Sequence, residues 1–238
     1  MKKNKFILLI LLLGVAFLVF MNKESSSETV TLIYDSFDGG GPQYEVVVHD
    51  ESIVSVSSNR KYHDADHEEL DGASYDMIFT FCGLQEGKTK VEIIGESALT
   101  EENGVLEQYV LIVNEKLNIR KSQILPLESF YFRYGGYMAP ISYELWKEEE
   151  IWYLSVNEGE PVEAELSLVE ELEEMITGYE IGDWNGFSEA DRRVLDGEDF
   201  LLSIHFEDGK RISANGSNAF PKNYGEAKVE WNRLLGGF

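Results

Sequence analysis

The sequence predicts a membrane-anchor helix over residues 1–23, an all-β sandwich over residues 29–114, and a small α+β domain over residues 127–238. Three observations support this fold class. Lysines precede an uninterrupted apolar run at the start of the chain, short segments of alternating hydrophobicity fill the middle, and helical periodicity occurs only towards the end. Each pattern indicates a different kind of structure, so we expect three separate parts.

The N-terminal segment has the composition of a signal anchor. Lys2, Lys3 and Lys5 precede Phe6–Met21, a run of 16 residues without a polar side chain. A helix of this length spans about 24 Å, somewhat less than the roughly 30 Å hydrocarbon core of a bilayer. Because lysines flanking a membrane helix remain in the cytoplasm, we expect the rest of the chain to be extracytoplasmic.

The alternative to an uncleaved anchor is a cleaved signal peptide, which makes the protein secreted. Ser25–Ser27 offers the small residues that a cleavage site needs, although Lys23 and Glu24 separate them from the apolar core. A lipoprotein requires a cysteine directly after the core, and the single cysteine of the chain is Cys82. We therefore expect a single-pass protein of the cell membrane, with secretion as the alternative.

The chain is strongly acidic, with 20 Lys and Arg residues against 44 Asp and Glu residues and a net charge of −24. Four of the lysines lie in the first 23 residues, which contain no acid, so the remainder has 16 positive and 44 negative side chains, or −28. Such a field repels nucleic acid and anionic lipid headgroups. We therefore exclude nucleic-acid partners and expect membrane contact through the N-terminal segment only.

The part of the chain after residue 28 begins with strand-like segments. Alternation and a high content of β-branched and aromatic residues mark each segment, and Gly, Asp, Asn and Ser fill the gaps. Short strands without helical periodicity between them indicate an antiparallel sandwich. The predicted strands are Val30–Tyr34, Tyr44–Val48, Ile53–Val56, Met77–Phe81, Lys88–Ile94 and Gln108–Val113.

After a linker or connecting strand over Asn114–Pro126, the pattern predicts the element order β-β-β-α-β-β-α. Ser167 is the expected N-cap of the first helix, with Glu170 completing a capping box and Gly178 ending the helix. The last helix is expected over Asn223–Leu235. The predicted strands are Phe130–Tyr134, Ile141–Trp146, Ile151–Val156 and a hairpin of Asp199–Phe206 with Arg211–Ser213, and the expected buried residues of the last helix are Tyr224, Val229 and Leu234.

Several segments between Thr29 and Asn114 have a recognisable order of glycines, aromatic residues and strands. These are Gly40–Tyr44, Ile53–Val56, Leu70–Ala73, Phe79–Phe81 and Gly83–Ile93. In this order they resemble the chagasin-like cysteine protease inhibitors. The resemblance implies that the all-β sandwich is immunoglobulin-like.

In that family, three loops enter the active-site cleft of papain-type proteases with Thr-Thr-Gly-aromatic, Gly-x-Gly-Gly and Arg-Pro-Trp motifs. The matching positions here read Gly-Gly-Gly-Pro-Gln-Tyr from Gly39, Gly-Ala-Ser-Tyr from Gly72, and Gly95–Glu101 without Arg-Pro-Trp. The third loop therefore lacks the aromatic anchor that usually dominates an interface. The candidate binding residues implied by the resemblance are Gly39, Gly40, Gly41, Tyr44, Gly72, Ala73, Ser74 and Tyr75.

The second half resembles an uncharacterised domain of secreted Firmicutes proteins. The residues that carry this resemblance are Trp184–Phe187, Val194–Gly197, Phe206–Gly209 and Gly216–Tyr224. The resemblance implies no activity. Its aromatic loops, Trp184–Phe187 and Asn215–Tyr224, are interpreted either as a recognition surface or as plugs of the core.

The segment His63–His67 is the strongest metal candidate. His63 and His67 share one face if the segment is helical, and two aspartates lie between them. A closed zinc site needs three or four well-placed ligands, and a solvated polar loop accounts for the same residues. We therefore predict no metal and no other cofactor, and name His63 and His67 as the ligands to test.

The remaining reactive side chains do not form a catalytic pattern. Cys82 follows a strand, and the negative field of the chain does not favour a thiolate, so a buried structural cysteine is expected. Glu148–Glu150 and Glu170–Glu174 are interpreted as solvated faces. Because the sequence contains no nucleophile elbow, zinc-protease helix or phosphate loop, we expect a protein that is not an enzyme.

These features favour a non-catalytic, membrane-anchored binding protein outside the cytoplasm, with an extracellular protein as the expected class of partner. The alternative, from the resemblance, is inhibition of papain-type cysteine proteases through the loops of the sandwich.

Overall fold

The computed structural model describes residues 28–63, 72–96, 104–136, 139–194 and 197–237. These residues are mostly in strands and contain two α-helices. The chain divides into two compact units, a first unit up to residue 106 together with 111–121, and a second unit of 107–110 together with 122–238. The predicted anchor over residues 1–23 lies outside the described residues. Within the described ranges, no helix has the length and apolar character needed to span a membrane.

The strands up to residue 123 form two sheets. A three-stranded sheet has the order β1-β4-β3, and a four-stranded sheet has the order β2-β5-β6-β7. Each predicted strand in this part lies largely or wholly within an observed one, and β7 forms in the segment interpreted as a linker or connecting strand. The bounds are β1 Thr29–Phe37, β2 Gln43–Val48, β3 Val54–Tyr62, β4 Ser74–Gly83, β5 Gly87–Glu96, β6 Gly104–Val113 and β7 Ile119–Gln123.

Buried side chains occupy alternate positions in the second halves of β4 and β5. Phe79 and Phe81 in β4 are buried, as are Val91 and Ile93 in β5. Cys82 follows Phe81 and therefore points to the opposite face, where it is exposed. The expectation that Cys82 is buried was wrong, because its place in the alternation outweighs its apolar character.

The second unit contains one seven-stranded sheet with the order β11-β10-β9-β8-β13-β14-β12. The short strand β12 joins β14 in parallel, and the other pairings are antiparallel. The bounds are β8 Leu127–Gly135, β9 Ile141–Glu148, β10 Ile151–Val156, β11 Val162–Ala164, α1 Leu166–Gly178, a 3-10 helix Ile181–Trp184, β12 Ser188–Ala190, β13 Asp199–Phe206, β14 Arg211–Ser217 and α2 Tyr224–Leu235.

An aromatic cluster forms the centre of the second unit. Trp231 of α2 is fully buried, and its ring lies 4.7 Å from that of Phe132 and 5.3 Å from that of Phe130 in β8. Trp184 packs against Trp231, and its indole N–H donates to the carbonyl of Lys222 at 2.9 Å. Trp184 therefore belongs to the core, as one of the two interpretations of its loop expects.

Two details of the helices differ from the sequence prediction. Helix α1 begins at Leu166 with Glu165 as its N-cap residue, so Ser167 is not the cap. The N–H of Leu168 already donates to the carbonyl of Glu165 at 3.0 Å, which places Ser167 inside the first turn. In α2, Val229 is 61% exposed rather than buried. The helical stripe from Tyr224 to Leu235 runs through Ala227 and Trp231, and Val229 lies outside it.

Candidate functional site

Three connections of the sandwich start or end at one end of its two sheets, which we call the loop end. The end of β1 meets the start of β4, since Phe37 lies opposite Ser74, and the end of β3 meets it from the other side. In the other sheet, Gln43 at the start of β2 lies opposite Glu96 at the end of β5. The loop end comprises residues 38–42 and the residues that flank the other two connections, 63, 72–73, 96 and 104.

The turn from β1 to β2 is held by its own backbone. The N–H of Gly41 donates to the carbonyl of Phe37 at 3.1 Å, and the hydroxyl of Ser36 donates to the carbonyl of Pro42 at 2.6 Å. A β-carbon on Gly41 would lie 2.5 Å from the backbone of Phe37, so only glycine fits there. Gly39 has a φ of 84°, which L-residues with side chains rarely adopt. The glycines thus shape this turn.

The backbone joins this turn to the start of β4. The N–H of Asp38 donates to the carbonyl of Ala73 at 2.9 Å. Gly39 and Ser74 are exposed, as is Gly72, whose φ is 87°. The structure therefore brings the candidate binding residues of the first loop, Gly39–Tyr44, close to those of the second loop, Gly72–Tyr75, at the loop end.

Two candidate residues, Gly41 and Tyr75, are buried, and Tyr44 is half-buried. Tyr75 is only 4% exposed, and its ring lies 5.4 Å from that of Tyr62. The half-buried Tyr44 packs against Tyr34 at 4.9 Å and donates its hydroxyl to the carbonyl of Asp35 at 3.1 Å. Burial raises the pKa of Tyr44 above its ordinary value. Gly41 is also buried, so these three residues support the loop end from within.

A histidine and two aspartates form a cluster just below the loop end. Asp35 in β1 lies directly opposite Asp76 in β4, and His63 directly follows β3. The Nε2 atom of His63 lies 2.7 Å from Oδ1 of Asp76, and one ligand atom from each of the three residues lies within 4.8 Å of the others. The hydrogen bond from His63 holds the pKa of Asp76 below its ordinary value. His67, the other predicted ligand, lies outside the described residues.

No family model, curated protein or solved structure matches this chain.

The second unit has a cleft of about 520 Å³ beside the start of α2. Lys228 contacts both carboxylate oxygens of Glu198, at 2.7 and 2.8 Å, and Tyr224 donates its hydroxyl to the same carboxylate at 2.7 Å. Phe220 stacks on Tyr224 with ring centroids 4.6 Å apart. Glu198 and Lys228 neutralise each other, and together with Tyr224 they form a structural tie between α2 and the segment before β13.

Sequence reasoning missed the aspartates of the first unit and the ion pair of the second. Asp35 and Asp76 are brought together by strand register, which has no local signal. Lys228 follows Tyr224 by four residues, and this spacing on one helix face indicates that both side chains reach the same place. The spacing does not identify Glu198 as their partner.

Proposed function

We propose that this chain is a non-catalytic binding protein that is held outside the cytoplasm by its N-terminal segment and engages an extracellular protein through the loop end. The observation that carries the proposal is the convergence of three strand connections at one end of the sandwich. Connections of this kind are where scaffolds of paired sheets place their recognition residues.

The strand orders support an immunoglobulin-like interpretation of the sandwich. In the constant-type immunoglobulin fold, one sheet contains strands B, E and D in the order B-E-D, and the other contains C, F and G in the order C-F-G. The sheets β1-β4-β3 and β2-β5-β6 have the same orders when β1 is taken as strand B. The connections at the loop end then correspond to B–C, D–E and F–G, and variable domains use B–C and F–G for recognition.

The surface of the loop end suits contact with another protein backbone. Gly39 and Gly72 are exposed and have no β-carbon, so a partner chain can approach them closely. Cys82 is exposed on β4 and lies beside two strands that offer its thiol no general base. Its cross-strand neighbours are Thr29 and Ser55, and neither side chain acts as a base.

Site-specific photo-crosslinking tests where the partner binds. A photoreactive residue at Ser74, which is exposed at the loop end, is compared with one at Glu86, which is exposed in the turn between β4 and β5 at the opposite end. We expect a crosslinked protein from intact cells with the probe at Ser74 and none with the probe at Glu86. Equal crosslinking at both positions, or crosslinking at Glu86 alone, contradicts the proposal.

The proposed location of the chain outside the cytoplasm is tested separately by adding protease to intact protoplasts. Because Lys2, Lys3 and Lys5 are expected in the cytoplasm, both units should be degraded while a cytoplasmic marker remains intact. Complete protection of the chain contradicts the proposed orientation.

A second candidate function is inhibition of papain-type cysteine proteases. The hydrogen bond between Asp38 and Ala73 favours it, because inhibition by this mode needs the first two loops side by side. Without an Arg-Pro-Trp anchor, binding should be weaker by at least about 2 kcal/mol, which is roughly thirtyfold.

Full-length protein is titrated against papain, with Ser74→Trp as the blocking variant and Glu86→Trp as its control. Inhibition relieved by Ser74→Trp alone supports this function, and no inhibition at the highest soluble concentration contradicts it.

A further inference from the structure

The outer face of the three-stranded sheet carries an unusual pairing of like charges. Asp35 and Asp76 lie directly opposite each other on adjacent antiparallel strands. Like charges at such positions destabilise a sheet, since their β-carbons are about 5 Å apart. Because β1 is the edge strand, no further strand among the described residues lies beside Asp35 to contribute a cation. Lys61 lies on the other side of Asp76, where its charge contributes to the lowered pKa of that aspartate.

Beside these two carboxylates, His63 supplies a nitrogen atom that can bind a metal ion. Its backbone is fixed, because its N–H donates to the carbonyl of Ser74 at 3.1 Å. The imidazole of His63 is half-exposed and reaches Asp76 at 2.7 Å. An imidazole with two carboxylates is a ligand set that zinc accepts, with water completing the tetrahedron. Hard ions such as Mg²⁺ and Ca²⁺ prefer sites composed of oxygen ligands alone.

We propose that Asp35, His63 and Asp76 bind one zinc ion at the loop end. Bonds of about 2.0–2.1 Å in a tetrahedral site place ligand atoms roughly 3.3 Å apart. The contact between His63 and Asp76 must open by about 0.6 Å to reach that separation, and the third ligand must close from at most 4.8 Å. Rotation of the exposed side chains of His63 and Asp35 supplies the two movements. The ion replaces repulsion between the aspartates with attraction, and it links β1, β4 and the end of β3 directly below the loops.

Zinc binding is measured by calorimetric titration of metal-free, full-length protein with zinc sulfate. We expect one zinc ion per chain, and a thermal unfolding midpoint that rises when zinc is added. Asp35→Asn and His63→Gln should each weaken binding at least tenfold, since each removes a ligand. The matched control is His49→Gln, because Nε2 of His49 lies 3.5 Å from a carboxylate oxygen of Glu92 on the other sheet. This variant should bind zinc as the unaltered chain does.

Two results overturn the proposal. One is the absence of stoichiometric zinc binding, and the other is binding that Asp35→Asn weakens no more than His49→Gln does. If circular dichroism shows that His63→Gln does not fold, the effect of Asp35→Asn on zinc binding decides whether the proposal holds. Asp35→Asn keeps the shape of the side chain and leaves the pair of His63 and Asp76 intact. The titration contains no protein partner, so its outcome is independent of the proposed binding function.

Discussion

Replacing Trp231 in α2 should be among the most destabilising single changes in the second unit. Trp231 is fully buried, and its ring packs edge-on against Phe130, Phe132 and Trp184. A buried tryptophan removes roughly 150–250 Å² from water, which corresponds to about 4–6 kcal/mol at about 25 cal/mol per Å². Measured costs of Trp→Ala changes in protein cores are about 3–5 kcal/mol. We therefore expect Trp231→Ala to lower the free energy of unfolding by about 3–5 kcal/mol.

The matched control for this change is Val229→Ala in the same helix. Val229 is 61% exposed, so losing its two methyl groups should change the free energy of unfolding by no more than about 0.5 kcal/mol. Urea unfolding followed by far-UV circular dichroism measures both variants without depending on tryptophan fluorescence. A larger loss for Val229→Ala than for Trp231→Ala would refute the packing described for α2 and favour the helix face that the sequence suggested.

Two further changes test the turn at the loop end and the tie in the second unit. Gly41→Ala should lower the urea midpoint, because its β-carbon would lie 2.5 Å from the backbone of Phe37, whereas Gly225→Ala in α2 meets nothing within 4 Å and should be neutral or stabilising. Burial raises the pKa of Tyr224, with the hydrogen bond to Glu198 adding to the effect. The stability that this raised pKa contributes is therefore complete below about pH 10 and declines at higher pH, as the unfolded chain loses the proton. Tyr224→Phe should make the decline in unfolding free energy between pH 9.5 and 11 shallower, and an unchanged slope would contradict this assignment.

The strands that the sequence predicted well are those with one buried face. Asp199–Phe206 matches β13 at both ends, because four apolar residues alternate with exposed ones along it. The end of β3 was missed for the opposite reason. Its residues after Val54 are exposed apart from the half-buried Tyr62, and they are mostly polar, so no alternation of hydrophobicity marks them. The short strand Ser188–Ala190 is fully exposed, so no alternation of hydrophobicity marks it in the sequence either.

The prediction that Val229 of the last helix is buried was wrong for a different physical reason. The buried stripe includes Ala227, a side chain too small to stand out in a hydrophobic pattern. Val229 is more hydrophobic but lies five residues from Tyr224, a spacing that rotates it away from the stripe. Helical spacing is therefore a better guide than hydrophobicity when the two disagree.

The candidate site was only partly accessible from the sequence. His63 was singled out because His67 follows four residues later. The partners that the structure supplies to His63 are Asp76, thirteen residues away, and Asp35 from another strand. Only the register of β1 against β4 brings the two aspartates together, and register follows from the pairing of whole strands rather than from any local pattern.

Three hydrogen bonds that hold the loop end do not depend on the identity of its side chains. Asp38 bonds to Ala73, Gly41 to Phe37 and His63 to Ser74, and all three bonds join backbone atoms. Every residue except proline offers the same backbone donor and acceptor, so substitutions at exposed positions with ordinary φ values, such as Ser74, leave these bonds in place. In the proposed binding function, this backbone scaffold fixes where a partner would bind, whereas the exposed side chains select the partner. Ser74 and His63 are positions of this kind, so the crosslinking and zinc experiments that test the two proposals place their changes there.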